Sequence, residues 1–195
     1  MKARKFRRKG SENKVKAFFE SEKGKRFIRR ALLALLVLLT ALFQNTRGAL
    51  PAIGNAKAMP LIVLAATLGL FERSLAGLFF GAFAGALWDM ASADTDGFFT
   101  LLLCAVGFLS GVLSSFVLRN NIFSALLLSG SSTAICLLLH WFGFVYVKGY
   151  DPAAALLVSR YLPSAIYTFL FTFVCYYLVR GIANAFSMQK KFESF

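Results

Sequence analysis

The sequence predicts an all-α integral membrane protein, a six-span helical bundle. Three observations carry this reading: an apolar composition, apolar segments of membrane length, and basic residues gathered on one side of those segments. Hydrophobic residues make up 58% of the 195 and charged residues only 16%, where soluble domains carry about 25% charge. The mean hydropathy is +0.66. A chain of this length has room for one membrane domain and no sizeable soluble one.

Residues 1–30 read as a basic cytoplasmic tail, holding 13 of the 22 Lys and Arg. A basic run that ends where an apolar segment begins is drawn to anionic lipid, at about 1 kcal/mol per residue near the surface. Arg4, Lys5, Arg7, Arg8, Lys9, Lys25, Arg26, Arg29 and Arg30 are therefore assigned to lipid headgroups. Val15, Phe18 and Phe19 can form one face of an interfacial helix ended by Gly24; a solvated tail is the alternative for residues 1–13. The net charge of +13 does not point to nucleic acid, because it is concentrated in this tail. Residues 31–180 form the polytopic domain, and 181–195 a second cytoplasmic tail.

Six apolar segments follow, approximately Phe27–Phe43, Ile53–Phe71, Ser74–Met90, Phe98–Leu118, Ile122–Val145 and Tyr161–Val179. A crossing helix needs about 20 mostly apolar residues. The second segment is the weakest, with a continuous core of only Met59–Phe71 and Pro60 near its start. A full span and a short helix after a re-entrant or surface segment fit it equally well. Glu72-Arg73 makes a tight turn into the third span. Asp151–Tyr161, with Pro152 and Arg160 inside it and Pro163 just beyond, reads as an amphipathic elbow at the interface before the last span.

Basic residues orient the bundle. Six spans with the N-terminus inside place 18 of the 22 basic residues in the cytoplasm and leave Arg47, Lys57, Lys148 and Arg160 outside. Omitting the second span would send Arg119, Arg180, Lys190 and Lys191 outside. Both termini are thus expected in the cytoplasm.

The third span holds the most informative pattern. Gly77, Gly81 and Gly85 recur every four residues, and the next step of four lands on Asp89. Residues four apart share one face of a helix, so a glycine groove leads to a single carboxylate. In water each interior glycine would cost about 1 kcal/mol against alanine, whereas in a bilayer small residues let a second helix approach closely. An intramembrane carboxylate marks a function or a partner, against the plainer reading of an Asp snorkelling to the interface beside Trp88. Gly107 and Gly111 repeat the spacing in span four, so spans three and four are expected to pack groove to groove.

Catalytic patterns are missing from the sequence. His140 is the only histidine, flanked by Leu139 and Trp141, and reads as a hydrogen-bonded interfacial residue rather than a proton relay. Cys104, Cys136 and Cys175 stand alone in apolar segments and read as small core residues. Hydroxyls at Ser114-Ser115 and Ser129–Ser132 are expected to bond carbonyls of their own helix or a neighbour. Neither a nucleophile motif nor a phosphate loop occurs.

Arg73, Gly77, Gly81, Gly85, Asp89 and Gly97-Phe98, followed by apolar Leu101–Leu113 and Arg119-Asn120-Asn121, resemble the bacterial rod shape-determining MreD family. In that family a Gly-rich third span runs into a G-L-x-x-D-like end, a short loop and a Gly opening the next span. Here Gly85-Ala86-Leu87-Trp88-Asp89 departs slightly from that pattern, and the loop with Asp94 and Asp96 is more acidic. The similarity covers Pro60–Trp141, roughly 80 residues. It implies a six-span fold resembling the substrate-binding subunits of energy-coupling-factor transporters. It also implies a non-enzymatic, cofactor-free subunit of the cell-elongation machinery in the bacterial plasma membrane. Such a subunit binds a single-span MreC-like scaffold and, directly or through it, the MreB cytoskeleton and a peptidoglycan synthase pair. Gly77, Gly81, Gly85, Asp89, Gly97, Gly107 and Gly111 are the residues expected at helix-packing or partner contacts. A vitamin-binding transporter subunit is the alternative; an enzyme acting on lipid-linked precursors lacks paired catalytic polar residues.

Overall fold

The computed structural model describes residues 22–46, 56–92, 97–116, 121–149 and 153–187, which are nearly all helical. Five helices are long and apolar enough to cross a membrane: Gly24–Asn45, Ser74–Ala91, Phe98–Phe116, Ile122–Tyr146 and Ala154–Ala185. The protein is a multi-pass helical bundle. The first helix, α1 (Glu22–Asn45), begins inside the stretch assigned to the basic tail. Leu33, Val37, Ala41 and Gln44 form its buried stripe, while Leu35, Leu39 and Phe43 on other faces are exposed. That is the periodicity of a helix with one face on protein and the rest on lipid.

The second helix, α2 (Pro60–Phe71), has only 12 residues, about 18 Å of length against an apolar core of about 30 Å. Of the two readings of this segment, the structure shows the short helix. It is the axis of the bundle: every residue from Leu61 to Leu70 is buried, and all five long helices pack around it. Residues apolar on every side of a helix bury every side. Pro60 opens the helix, where its missing N–H and fixed φ cost nothing.

Helices α3 (Ser74–Ala91) and α4 (Phe98–Phe116) form the most extensively packed pair in the molecule. Helix α5 (Ile122–Trp141) continues through a π-helical turn, Phe142–Tyr146. Of the expected elbow, Asp151 and Pro152 lie outside the described residues, and the rest is helical. Helix α6 (Ala153–Leu156) passes through a second π-helical turn, Leu157–Tyr161, into α7 (Leu162–Ser187), giving one apolar helix of 32 residues. Pro163 supplies the reason for that turn, since it has no N–H for the carbonyl four residues back and its ring crowds that position. Widening the preceding turn lets the helix continue. Around α2 the ring runs α1, α3, α4, α5, α7, and α4 and α5 barely touch.

Candidate functional site

The glycines at four-residue spacing meet across α3 and α4. A Cβ on Gly77 would fall within 3.0 Å of the Gly107 carbonyl, one on Gly107 within 3.0 Å of the Gly77 carbonyl, and one on Gly81 within 3.0 Å of the Leu103 carbonyl. At Gly85 the obstacles are the Phe99 carbonyl and the Thr100 Cα. These are backbone atoms that cannot rotate aside, so the two helices touch main chain to main chain. Gly111 meets Ser74 in the same way. The seam also extends to a third helix that glycine spacing did not mark: a Cβ on Gly69 of α2 would lie 2.5 Å from the Gly107 carbonyl and 2.7 Å from Ser110 Cβ. Ser114 ties the same helices together, donating to the Leu70 carbonyl at 2.8 Å.

Asp89 lies at the end of this seam, and its carboxylate is engaged within the chain. Oδ1 accepts the Phe99 N–H at 3.2 Å, and Oδ2 accepts both the Thr100 N–H and the Thr100 hydroxyl at 2.7 Å. A helix leaves its first N–H groups without partners, and a negative charge there also meets the positive end of the helix dipole. Asp89, from the last turn of α3, therefore caps α4 across the hairpin. Gly97 takes a different role from the other glycines. Its φ is +85°, nothing would crowd a Cβ there, and its carbonyl accepts the Leu101 N–H at 3.1 Å. It is the turn that sets the first residues of α4 against Asp89.

Above the cap the aromatic residues stack. Trp88 lies on Phe99 with centroids 4.0 Å apart and planes 7° off parallel; Phe99 faces His140 at 5.4 Å, and His140 faces Phe144 at 4.9 Å. His140 Nδ1 and the Tyr161 hydroxyl are 2.9 Å apart, which joins the stack to the start of the last helix. The lone histidine is thus held by four rings, Phe98, Phe99, Phe144 and Tyr161, from three parts of the chain.

The same end contains a feature with no obvious mark in the sequence. Residues 56–59 are not helical, with Ala56 and Ala58 buried, yet non-helical backbone at membrane depth must find partners within the protein. It finds them on flanking helices. The Lys57 N–H donates to Ser164 Oγ at 3.0 Å, the Met59 N–H to Thr168 Oγ1 at 3.0 Å, and the Leu61 N–H to Gln44 Oε1 at 3.1 Å. Ser164, Thr168 and Thr172 repeat every four residues along α7, and Ser129 of α5 meets Thr172 at 2.8 Å. With Ser129 on Thr172 and His140 on Tyr161, α5 and α7 run antiparallel, so Thr133 is level with Thr168. The Thr133 hydroxyl is buried without a hydrogen-bond partner.

At the opposite end the basic residues separate. Arg29 turns inward to pair with Glu72 and approaches the Phe71 carbonyl at 3.5 Å, whereas Arg26 and Arg30 are exposed and Lys25 is half-buried. Arg4, Lys5, Arg7, Arg8 and Lys9, like Asp94 and Asp96, lie outside the described residues. No group of three His, Cys, Asp or Glu side chains that could hold a metal occurs among the described residues. Compared with protein-family models, with curated proteins and with solved structures, the chain gives no match.

Proposed function

We propose that this chain is a non-enzymatic membrane subunit of the bacterial cell-elongation machinery, a rigid bundle that holds a single-span MreC-like scaffold and helps organise lateral peptidoglycan synthesis in the plasma membrane. The observation that carries the reading is how fully the interior is used by the chain itself. The axial helix is enclosed, the glycine seam is filled by the facing backbone, and Asp89 caps α4. What remains for a partner is the lipid-facing exterior, where another membrane helix can lie. The glycine ladder then shapes the subunit, and the scaffold docks elsewhere on its surface. The basic tail adds contacts to anionic headgroups on the cytoplasmic side, and the MreB cytoskeleton and synthase pair are reached directly or through the scaffold.

A vitamin-binding transporter subunit is the second reading, favoured by the non-helical approach to α2 and by the unpartnered Thr133 hydroxyl, since transporters build their sites on interrupted helices. Affinity purification from native membranes separates the two. The first reading expects a single-span coiled-coil protein in stoichiometric amount and no melting shift with thiamine, riboflavin or biotin. A shift of several degrees with one vitamin, or capture of a paired ATPase, would overturn it.

A further inference from the structure

We propose that the corner where α1, α2 and α7 meet binds the phosphate of an anionic lipid headgroup through Arg180 and Arg30. Three helices close this corner. Arg29 of α1 pairs with Glu72 and reaches the Phe71 carbonyl at the end of α2. The Phe71 ring packs on Tyr176 of α7 at 5.5 Å. Arg180, one turn further along α7, lies over the Tyr176 ring at 5.7 Å and donates from Nη1 to its hydroxyl at 3.3 Å. Tyr176 is fully buried, so its hydroxyl is a fixed anchor that directs the rest of the guanidinium outward.

Arg30 belongs to the same corner. It lies one turn before the buried Leu33 on α1, a helix that packs against α7, where Val179 beside Arg180 is buried as well. Arg30, Arg73 and Arg180 are all exposed, and among the described residues none of them pairs with a carboxylate. Glu72, the carboxylate at the end of α2, is taken by Arg29. The corner therefore attracts an anion, and guanidinium groups suit phosphate oxygens two at a time.

The surroundings select a lipid as the source of that phosphate. Flanking the arginines, Phe27 is 65% exposed, Tyr177 60% and Leu178 49%. A free phosphate would gain nothing from these side chains, whereas an acyl chain lies along them while its headgroup meets the arginines. The leaflet follows from the orientation proposed above: if this end is cytoplasmic, the lipid is an inner-leaflet one.

The experiment uses the full chain in nanodiscs of phosphatidylcholine with and without phosphatidylglycerol, released for native mass spectrometry. Wild type is expected to retain a discrete phosphatidylglycerol adduct, and R30Q/R180Q to weaken that retention about tenfold, the loss of a charge-assisted hydrogen bond. A Lys148→Gln/Arg160→Gln variant at the other end and a variant with Arg4, Lys5, Arg7, Arg8 and Lys9 changed to Gln should retain the lipid. Equal loss in either control would overturn the site in favour of diffuse charge. Equal retention of phosphatidylcholine would overturn the requirement for an anionic headgroup, and displacement by millimolar inorganic phosphate would overturn lipid as the source. A reporter fused after Phe195 reads orientation separately: if it lies outside, the leaflet is wrong although retention by Arg30 and Arg180 stands.

Discussion

Asp89→Ala removes three hydrogen bonds at once, two from backbone N–H groups at the start of α4 and one from the Thr100 hydroxyl. A hydrogen bond to a charged group contributes about 1.5–3 kcal/mol. The three cannot simply be added, because they share one carboxylate and Asp89 is half-buried, so water can replace part of what is lost. About 2–4 kcal/mol is the expected cost, which for a chain of this size lowers the melting temperature by about 5–15 °C. Asp89→Asn keeps one acceptor oxygen but turns an NH₂ towards a donor, and should cost about half as much. Thr100→Val removes only the hydroxyl bond, and its effect should largely vanish in the Asp89→Ala background, the signature of coupled neighbours. Trp88 stacks on Phe99 at 4.0 Å, so in a Trp141→Phe background its fluorescence reports the capped turn directly. Hydrogen exchange at the Phe99 and Thr100 amides provides the local readout. If Asp89→Ala melts within about 1 °C of wild type and leaves that exchange unchanged, the carboxylate is not the cap of α4 and the reasoning fails.

The seam and the non-helical segment give two more tests. Gly81→Ala and Gly85→Ala force a methyl against facing backbone and should each cost about 1–3 kcal/mol, with Gly81→Leu worse. Gly181→Ala, where a Cβ meets nothing, should be neutral or slightly stabilising in the same detergent melts. Equal effects at Gly81 and Gly181 would mean that α3 and α4 do not touch main chain to main chain. Thr168→Val leaves the Met59 N–H without its acceptor and should cost about 1 kcal/mol, in line with hydrogen bonds in other membrane bundles, while Thr168→Ser should restore it. Indistinguishable melts of all three proteins would show that the hydroxyl does not hold the non-helical segment.

The parts of this architecture that were legible in the sequence are those set by neighbours three or four residues apart. Gly77, Gly81 and Gly85 announce a groove because close backbones require small residues at each turn, and Gly107 and Gly111 announce its partner. Asp89 is conspicuous as the lone carboxylate of its span, but its spacing reveals no acceptor role; the donors at Phe99 and Thr100 become its partners only when the hairpin closes. The run Met59–Phe71, apolar on every side but for Thr67, is too short to span, which describes a helix enclosed by others. Gln44, Ser164 and Thr168 were illegible for a different reason. Their partners are 17, 107 and 109 residues away, and a hydroxyl in a membrane helix satisfies its own carbonyls equally often. Arg29 was hidden among thirteen basic residues, and only contact with Glu72 separates it from Arg30.

The two sides of the bundle are joined by different means. Helices α3 and α4 meet through main chain, so nothing between them can change rotamer, and the Asp89 cap locks the hairpin at its turn. Helices α5 and α7 meet through hydroxyls and through His140 and Tyr161, contacts that hold a register without close backbone approach. The axial helix α2 is bound to both sides, to the hairpin through Gly69 and Ser114 and to α7 through the hydrogen bonds at the preceding non-helical stretch. A displacement of either side would therefore have to break buried polar contacts that no water is at hand to replace. Packed cores of this sort resist continuous deformation, and a body that keeps its shape can hold a partner helix at a fixed angle to the membrane. Such rigidity supports the role proposed above, in which a partner would meet the lipid-facing side chains of the ring rather than an opening of its centre.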